Sequence, residues 1–219
     1  MSGTMHRALT GPPGDAAILD DGIGEIPTYP LLRVCREEFA APWYFSHDKS
    51  GRFDLSAPRG SCYSASDSVG AMRETLGPDY EPGDIVAWIF WKIRVVWEIR
   101  PVPARWSKGI ADLRTDGRDG IGMTNEIFSM DDYSLPQAWA EKFAEAGWEG
   151  MKVSLRDVMS PERFGVVVFG AAGPQTSEVR FETRGKQPIS ATTVAEFVAQ
   201  TQIRVEASPV SPAALHVVS

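Results

Sequence analysis

The stretch "KSGRFDLSAPRGSCYSASDSVGAMRETLG", residues 49–77, decides how the chain is read. Its first half is punctuated by Gly51, Pro58 and Gly60 and reads as loop. "SCYSAS" follows as a short strand, in which Tyr63 alternates with Cys62 and Ser64. From Ser66 the spacing changes: Val69, Met72 and Leu76 recur at helical intervals, and Gly77 stops the element. Ser66 or Asp67 can cap this helix by accepting from a free backbone N–H. Glu74 lies off the apolar stripe. Arg52, Tyr63 and Glu74 thus fall on a loop, a strand and a helix in quick succession. Each has an ordinary reading as surface arginine, core tyrosine and solvated glutamate. Together they can also form a site for an anionic substrate with a carbohydrate centre.

Outward from this stretch the elements stay short. Upstream, "YPLLRVCRE" reads as a strand, and Arg33 interrupts its apolar run. Arg33 either points outward or meets a partner or ligand, because a buried unpaired charge is costly. "DIVAWIFWKI" fits helix and strand equally, "IRVVWEI" is a strand, and "KGIADL" and "GMTNEIF" are short extended segments. "SLPQAWAEKFAEAG" is a helix with Ser134 as cap and Pro136 in its first turn, where the missing N–H does no harm. Leu135, Trp139, Phe143 and Ala146 share its apolar face. "GMKVSLRD" and "FGVVVFG" are strands, "TTVAEFVAQT" is a helix, and no internal repeat is visible. Short strands mixed irregularly with a few helices predict a single compact α+β domain rather than a doubly wound sheet. Residues 1–25 read as a flexible arm, 26–205 as the domain with a C-terminal extension from about 174, and 206–219 as a frayed tail.

The chain has 219 residues, 43% of them hydrophobic, with seven Trp, enough for one sizeable core. A formal net charge of -7 weighs against direct nucleic-acid binding but allows a small anion held by a few local arginines. Two cysteines, Cys35 and Cys62, make no disulfide framework and read as reduced thiols of a cytoplasmic protein. The apolar stretch "IVAWIFWKIRVVWEI" carries Lys92, Arg94 and Glu98, so no membrane span is expected. The N-terminus shows no secretory pattern. Dinucleotide and P-loop fingerprints are absent. The three His, at 6, 47 and 216, are scattered, so neither a metal site nor a Ser–His–Asp triad is expected.

The ordered set "LLRVCRE", "GRFD", "GSCYSAS" and "AMRE" resembles the successive motifs of RES-domain proteins, and the resemblance continues through "GMTNEIF" to "FGVVVFG", covering roughly residues 28–173. Characterised members are toxins that degrade NAD by phosphorolysis or hydrolysis, have a fold similar to ADP-ribosyltransferases, and pair with a small DNA-binding antitoxin. The resemblance implies Arg33, Arg52 and Tyr63 as substrate-binding residues and Tyr63, Glu74 and Ser154 as catalytic ones. It implies no resident cofactor, NAD as substrate and inorganic phosphate as a possible co-substrate. Homo-oligomer formation stays open. The serine departs from the family pattern. In "GMKVSL", Val153 stands where Tyr is common and Ser154 comes one place early, and a one-residue shift turns a strand side chain to the other face. Either Ser154 faces the site with Lys152 and Arg156 near its rim, or Leu155 holds the family position.

This chemistry suits those residue types. Breaking the nicotinamide–ribose bond passes through an oxocarbenium-like centre, which the Glu74 carboxylate can stabilise. Arginine forks match pyrophosphate oxygens. Tyr63 offers a ring face or a hydroxyl. A protein ADP-ribosyltransferase and a catalytically silent partner-binding domain are the alternatives.

Overall fold

The strand predicted around Tyr63 lies near the centre of the assembly. It runs from Arg59 to Ala65 (β4), and the small residues Gly60 and Ser61 let neighbouring chain approach closely. In the computed structural model, residues 9–15, 19, 24–114, 121–155 and 162–206 are described. In chain order the other strands are β1 (Gly24–Glu25), β2 (Leu31–Arg36), β3 (Trp43–Phe45), β5 (Ile85–Ala87), β6 (Arg94–Pro101), β7 (Ile110–Asp112), β8 (Gly150–Val153), β9 (Gly165–Ala171), β10 (Gly173–Gln175), β11 (Phe181–Pro188) and β12 (Arg204–Glu206). The helices are α1 (Ser68–Leu76), α2 (Trp88–Lys92), α3 (Ser134–Glu145) and α4 (Ala191–Thr201).

Eight strands form one sheet in the order β1-β7-β8-β9-β4-β2-β6-β11. Among the described residues of this sheet only β7 and β8 pair in parallel, with Ala111 opposite Met151. The pairs β3–β10 and β5–β12 stand outside it. This is the mixed α+β domain expected from the sequence.

One irregularity prepares the site. Strand β4 pairs with β9 along its whole length but with β2 only at Leu32–Ala65. Further along the same edge, Ser46 beyond β3 exchanges backbone hydrogen bonds with Ser61, both at 2.8 Å. The sheet is therefore split between β2 and β3, and Arg33 sits at the split.

Alternate residues of β9 feed separate cores. Val167 and Phe169 join Trp139, Ala140 and Phe143 of α3 on one face. Val166 and Val168 join Leu31, Phe45, Cys62 and Ile99 on the other. Helix α1 buries Val69, Met72 and Leu76 against Trp91 and Phe197, as its spacing predicted. Asp67, not Ser66, caps it, accepting from Gly70 N at 2.9 Å. Gly77 ends it with φ 69°, a left-handed backbone that favours glycine.

Several readings are corrected. Ser134 is not the cap of α3: its own N–H donates to Asp132 Oδ1 at 2.8 Å. "GMTNEIF" is not extended but winds into a tight 3₁₀ turn over Asn125–Phe128. "DIVAWIFWKI" divides into a strand and a short helix. The segment after 173 contains an eight-residue strand, β11, on the edge of the main sheet. Its side chains are nearly all exposed, so burial periodicity could not announce it. Parts of the predicted arm are held rather than loose: Trp139 Nε1 donates to Thr10 O, Trp148 Nε1 donates to Leu19 O, and Leu19 is fully buried. The rest of the arm, residues 1–8, 16–18 and 20–23, and the tail 207–219 lie outside the described residues.

Candidate active site

The loop between β3 and β4, helix α1, the start of α3 and the end of β8 surround a cleft of about 560 Å³. That volume suits a ligand of nucleotide size. Arg52, Tyr63, Glu74 and Ser154, singled out in the sequence, all line it; Arg73 and Tyr133 do as well.

Arg52 projects from a loop that α3 holds in place. The Gln137 side chain donates to Lys49 O at 3.0 Å and Gly51 O at 2.9 Å. The Arg52 guanidinium donates to Phe128 O and, at 3.4 Å, to Met130 O, and it lies 5.1 Å from the centre of the Tyr133 ring. The Phe128 carbonyl ends the tight turn misread as extended, and Met130 follows two residues later. The turn orients the cation.

Tyr63 is half-buried, and its hydroxyl is already engaged. It donates to Asp54 Oδ1 at 2.8 Å and accepts from Phe53 N at 3.0 Å. Burial, then the Asp54 charge and hydrogen bond, push the phenol well above its ordinary pKa, and Glu74 adds to the rise. Glu74 stands on the cleft side of α1, one residue after Arg73, which is only 3% exposed. Arg73 donates to Gly77 O at 2.6 Å and Tyr80 O at 3.1 Å, fastening the C-terminal turn of the helix that carries Glu74.

Strand β8 ends at Val153, so strict alternation stops before the serine. Ser154 lines the cleft, as does the buried Val153, while Leu155 is buried against Gly70 and Gly165 and is not part of the lining. Lys152 is not at the rim. It lies on the other face of β8, 2.9 Å from Glu25 and 3.1 Å from Asp112, beneath the Phe164 ring. Arg156 lies outside the described residues.

Arg33 is not among the residues that line the cleft. It fills the split in the sheet, donating to Tyr63 O and, at 3.3 Å, to Tyr44 O. Both of these residues do line the cleft. Arg33 thus supplies a hydrogen bond where β2 and β4 have parted, and neither outward exposure nor direct cleft lining describes it.

Sequence reasoning missed Asp54, Arg73, Gln137 and Tyr133. Asp54 stood within "GRFD", but nothing local shows that a loop aspartate is fully buried. Among the described residues no group of three or more His, Cys, Asp and Glu is placed to hold a metal ion. No helix among them is long and apolar enough to cross a membrane.

With this geometry in hand, the kinship is clear. The RES domain model matches residues 30–208, and the chain belongs to the RES domain family. The match includes the segment read as an extension beyond 174. A chain of the crystal structure of the M. tuberculosis MbcT–MbcA toxin–antitoxin complex superposes with a TM-score of 0.58 at 17% identity, covering 84% of this chain and 98% of that one. At that identity the likeness is one of fold. No curated protein matches the chain.

Proposed function

We propose that this protein cleaves the bond between nicotinamide and ribose in NAD and passes the ADP-ribosyl group to phosphate or water. The observation that carries this reading is the convergence of Arg52, Tyr63, Glu74 and Ser154, from four separate segments, on one cleft. Family membership supports it.

In the proposed reaction the C1′–N bond breaks and its electron pair goes to the pyridinium nitrogen, leaving neutral nicotinamide. No general acid is needed, because the leaving group is already cationic. Positive charge develops on the ribose, and Glu74 stabilises it as a fixed carboxylate. A phosphate oxygen, or water that then gives up a proton, forms the new bond to C1′. Arg52 suits the pyrophosphate, since a guanidinium oriented by carbonyls keeps its fork geometry. Tyr63 and Tyr133 offer ring faces to a base. In this scheme Ser154, which lines the same cleft, bonds a ribose hydroxyl or orients Glu74. Arg33 enters as a brace for Tyr44 and Tyr63. The scheme uses NAD and phosphate as substrates and calls for no resident cofactor or metal.

The proposal extends to a toxin role in the cytoplasm, with a small DNA-binding antitoxin as partner; the neighbour's place in a toxin–antitoxin complex supports its toxin and antitoxin part alone. The test is to incubate the purified protein with NAD, with and without inorganic phosphate, and to measure free nicotinamide. ADP-ribose 1-phosphate as product means phosphorolysis and ADP-ribose means hydrolysis. Labelled protein would move the reading to a protein ADP-ribosyltransferase. Absence of both turnover and binding would sink the enzymatic proposal.

A further inference from the structure

Asp54 is a carboxylate with no exposed surface, yet it is surrounded by residues of the cleft. Its Oδ2 accepts from Ser46 Oγ at 2.7 Å and from Gly51 N at 2.9 Å, and its Oδ1 accepts from Tyr63 Oη at 2.8 Å. Ser46, Gly51 and Tyr63 all line the cleft, whereas Asp54 itself does not. The packing leaves no slack. A Cβ on Gly51 would stand 2.4 Å from Asp54 Oδ1 and 2.5 Å from Tyr63 Oη, so the loop closes over this pair only because residue 51 has no side chain. One buried group therefore joins the end of β3, the turn before Arg52 and the middle of β4.

A phenol has one proton to donate and accepts through its oxygen. Both capacities of Tyr63 are taken, by Asp54 and by the Phe53 amide. Buried polar groups bonded in this way are costly to disconnect.

We propose that Asp54 is a positioning residue of the cleft, holding the Tyr63 hydroxyl and the Arg52 loop in one arrangement so that Tyr63 presents its ring, and not its proton, to the dinucleotide. The inference rests on the NAD reading for its substrate. The link between Asp54 and Tyr63 stands on geometry alone and can be tested without NAD. Asp54 touches no substrate in this scheme. It acts through Tyr63 and through the reach of Arg52.

The test compares wild type with Asp54→Asn, Tyr63→Phe and the double variant, each read as KM and kcat for nicotinamide release. Asp54→Asn keeps the shape but turns one acceptor into a donor. It is expected to raise KM about tenfold with kcat changed less than about threefold, because binding groups are displaced while Glu74 stays in place. Tyr63→Phe is expected to raise KM by a smaller factor and to lower kcat by less than tenfold, whereas loss of a true proton donor costs about 10²–10⁴-fold. In the double variant the two effects should fall short of adding, as they do for groups in one network. A second readout, ultraviolet titration of the tyrosines, needs no substrate. The charged groups acting on the Tyr63 phenol are Asp54 and Glu74. Asp54→Asn should make one phenol ionise at lower pH, and that change should vanish in the double variant. A folded Asp54→Asn protein with wild-type KM and unchanged tyrosine titration overturns the proposal. So does a Tyr63→Phe protein whose kcat falls a hundredfold or more, a result that holds even if Asp54→Asn does not fold. If the wild type releases no nicotinamide, the NAD reading fails, and the titration still decides whether Asp54 holds Tyr63.

Discussion

Two tyrosines in this molecule donate to a carboxylate, and they serve opposite ends. On one face of the sheet Tyr29 Oη bonds Glu25, which also binds Lys152 at 2.9 Å; Lys152 is 3.1 Å from Asp112 and lies against Phe164. Acid meets base and aromatic rings cover them, so the cluster is closed. On the other face Tyr63 bonds Asp54, and the rest of Asp54 holds a loop that brings Arg52 to a cleft. The same chemical pair seals one surface and frames an opening on the other. The difference lies in what the carboxylate does with its remaining capacity. Glu25 spends it on a lysine, Asp54 on a backbone amide and a hydroxyl that shape a loop.

That comparison can be broken most sharply at Glu74. Glu74→Gln is expected to lower NAD turnover by a factor on the order of 10²–10³ with little change in NAD binding by calorimetry. Near wild-type turnover would remove Glu74 from the scheme. The closed cluster should respond in stability instead. Lys152→Ala leaves two largely buried carboxylates facing each other and is expected to cost about 3 kcal/mol in urea unfolding, with the affinity for NAD unchanged. An altered affinity would show that the two faces are coupled.

Residues 154 and 155 offer the same contrast within two positions. Leu155→Ala should cost about 2–5 kcal/mol of stability as a core truncation. Ser154→Ala should lower nicotinamide release at little cost in stability, and a silent Ser154→Ala would place the family serine elsewhere. Arg52→Lys keeps the charge but loses the fork, and is expected to weaken NAD binding about tenfold. Unchanged affinity in a folded Arg33→Ala, Arg52→Ala double variant would contradict the pyrophosphate assignment.

The smallest effect concerns pH. Burial and a neighbouring carboxylate raise the pKa of both Tyr29 and Tyr63 in the folded state. The fold therefore favours the neutral phenols. Their contribution is complete below the unfolded value of about 10 and is lost as the pH rises above it. Urea unfolding at about pH 8 to 11 should show declining stability, and Tyr29→Phe or Tyr63→Phe should each flatten part of that decline. An equally steep decline in both variants would locate the titration elsewhere.

Much of the site was legible because its members sit on elements with strong local rules. The helical spacing of Val69, Met72 and Leu76 leaves Glu74 off the core stripe, and in the structure Glu74 faces the cleft. Glycine punctuation puts Arg52 in a loop. Ser154 was harder, since alternation holds only inside a strand and β8 ends one residue earlier. The same rule misplaced Lys152 because it was extended past that end.

The order of amino acids by itself determined the mixed α+β class, the helix around Glu74, the helix around Trp139 and six of the twelve described strands, because periodicity and capping act over a few residues. Tertiary structure alone decided that β2 and β4 part, that Arg33 fills the gap with bonds to Tyr63 O and Tyr44 O, and that Asp54 is buried beneath Gly51. It also turned Asn125–Phe128 into the seat of Arg52. These outcomes depend on which distant backbone groups lose their ladder partners. A buried carbonyl or carboxylate must be satisfied by whatever donor the fold brings near, and no local pattern names that donor.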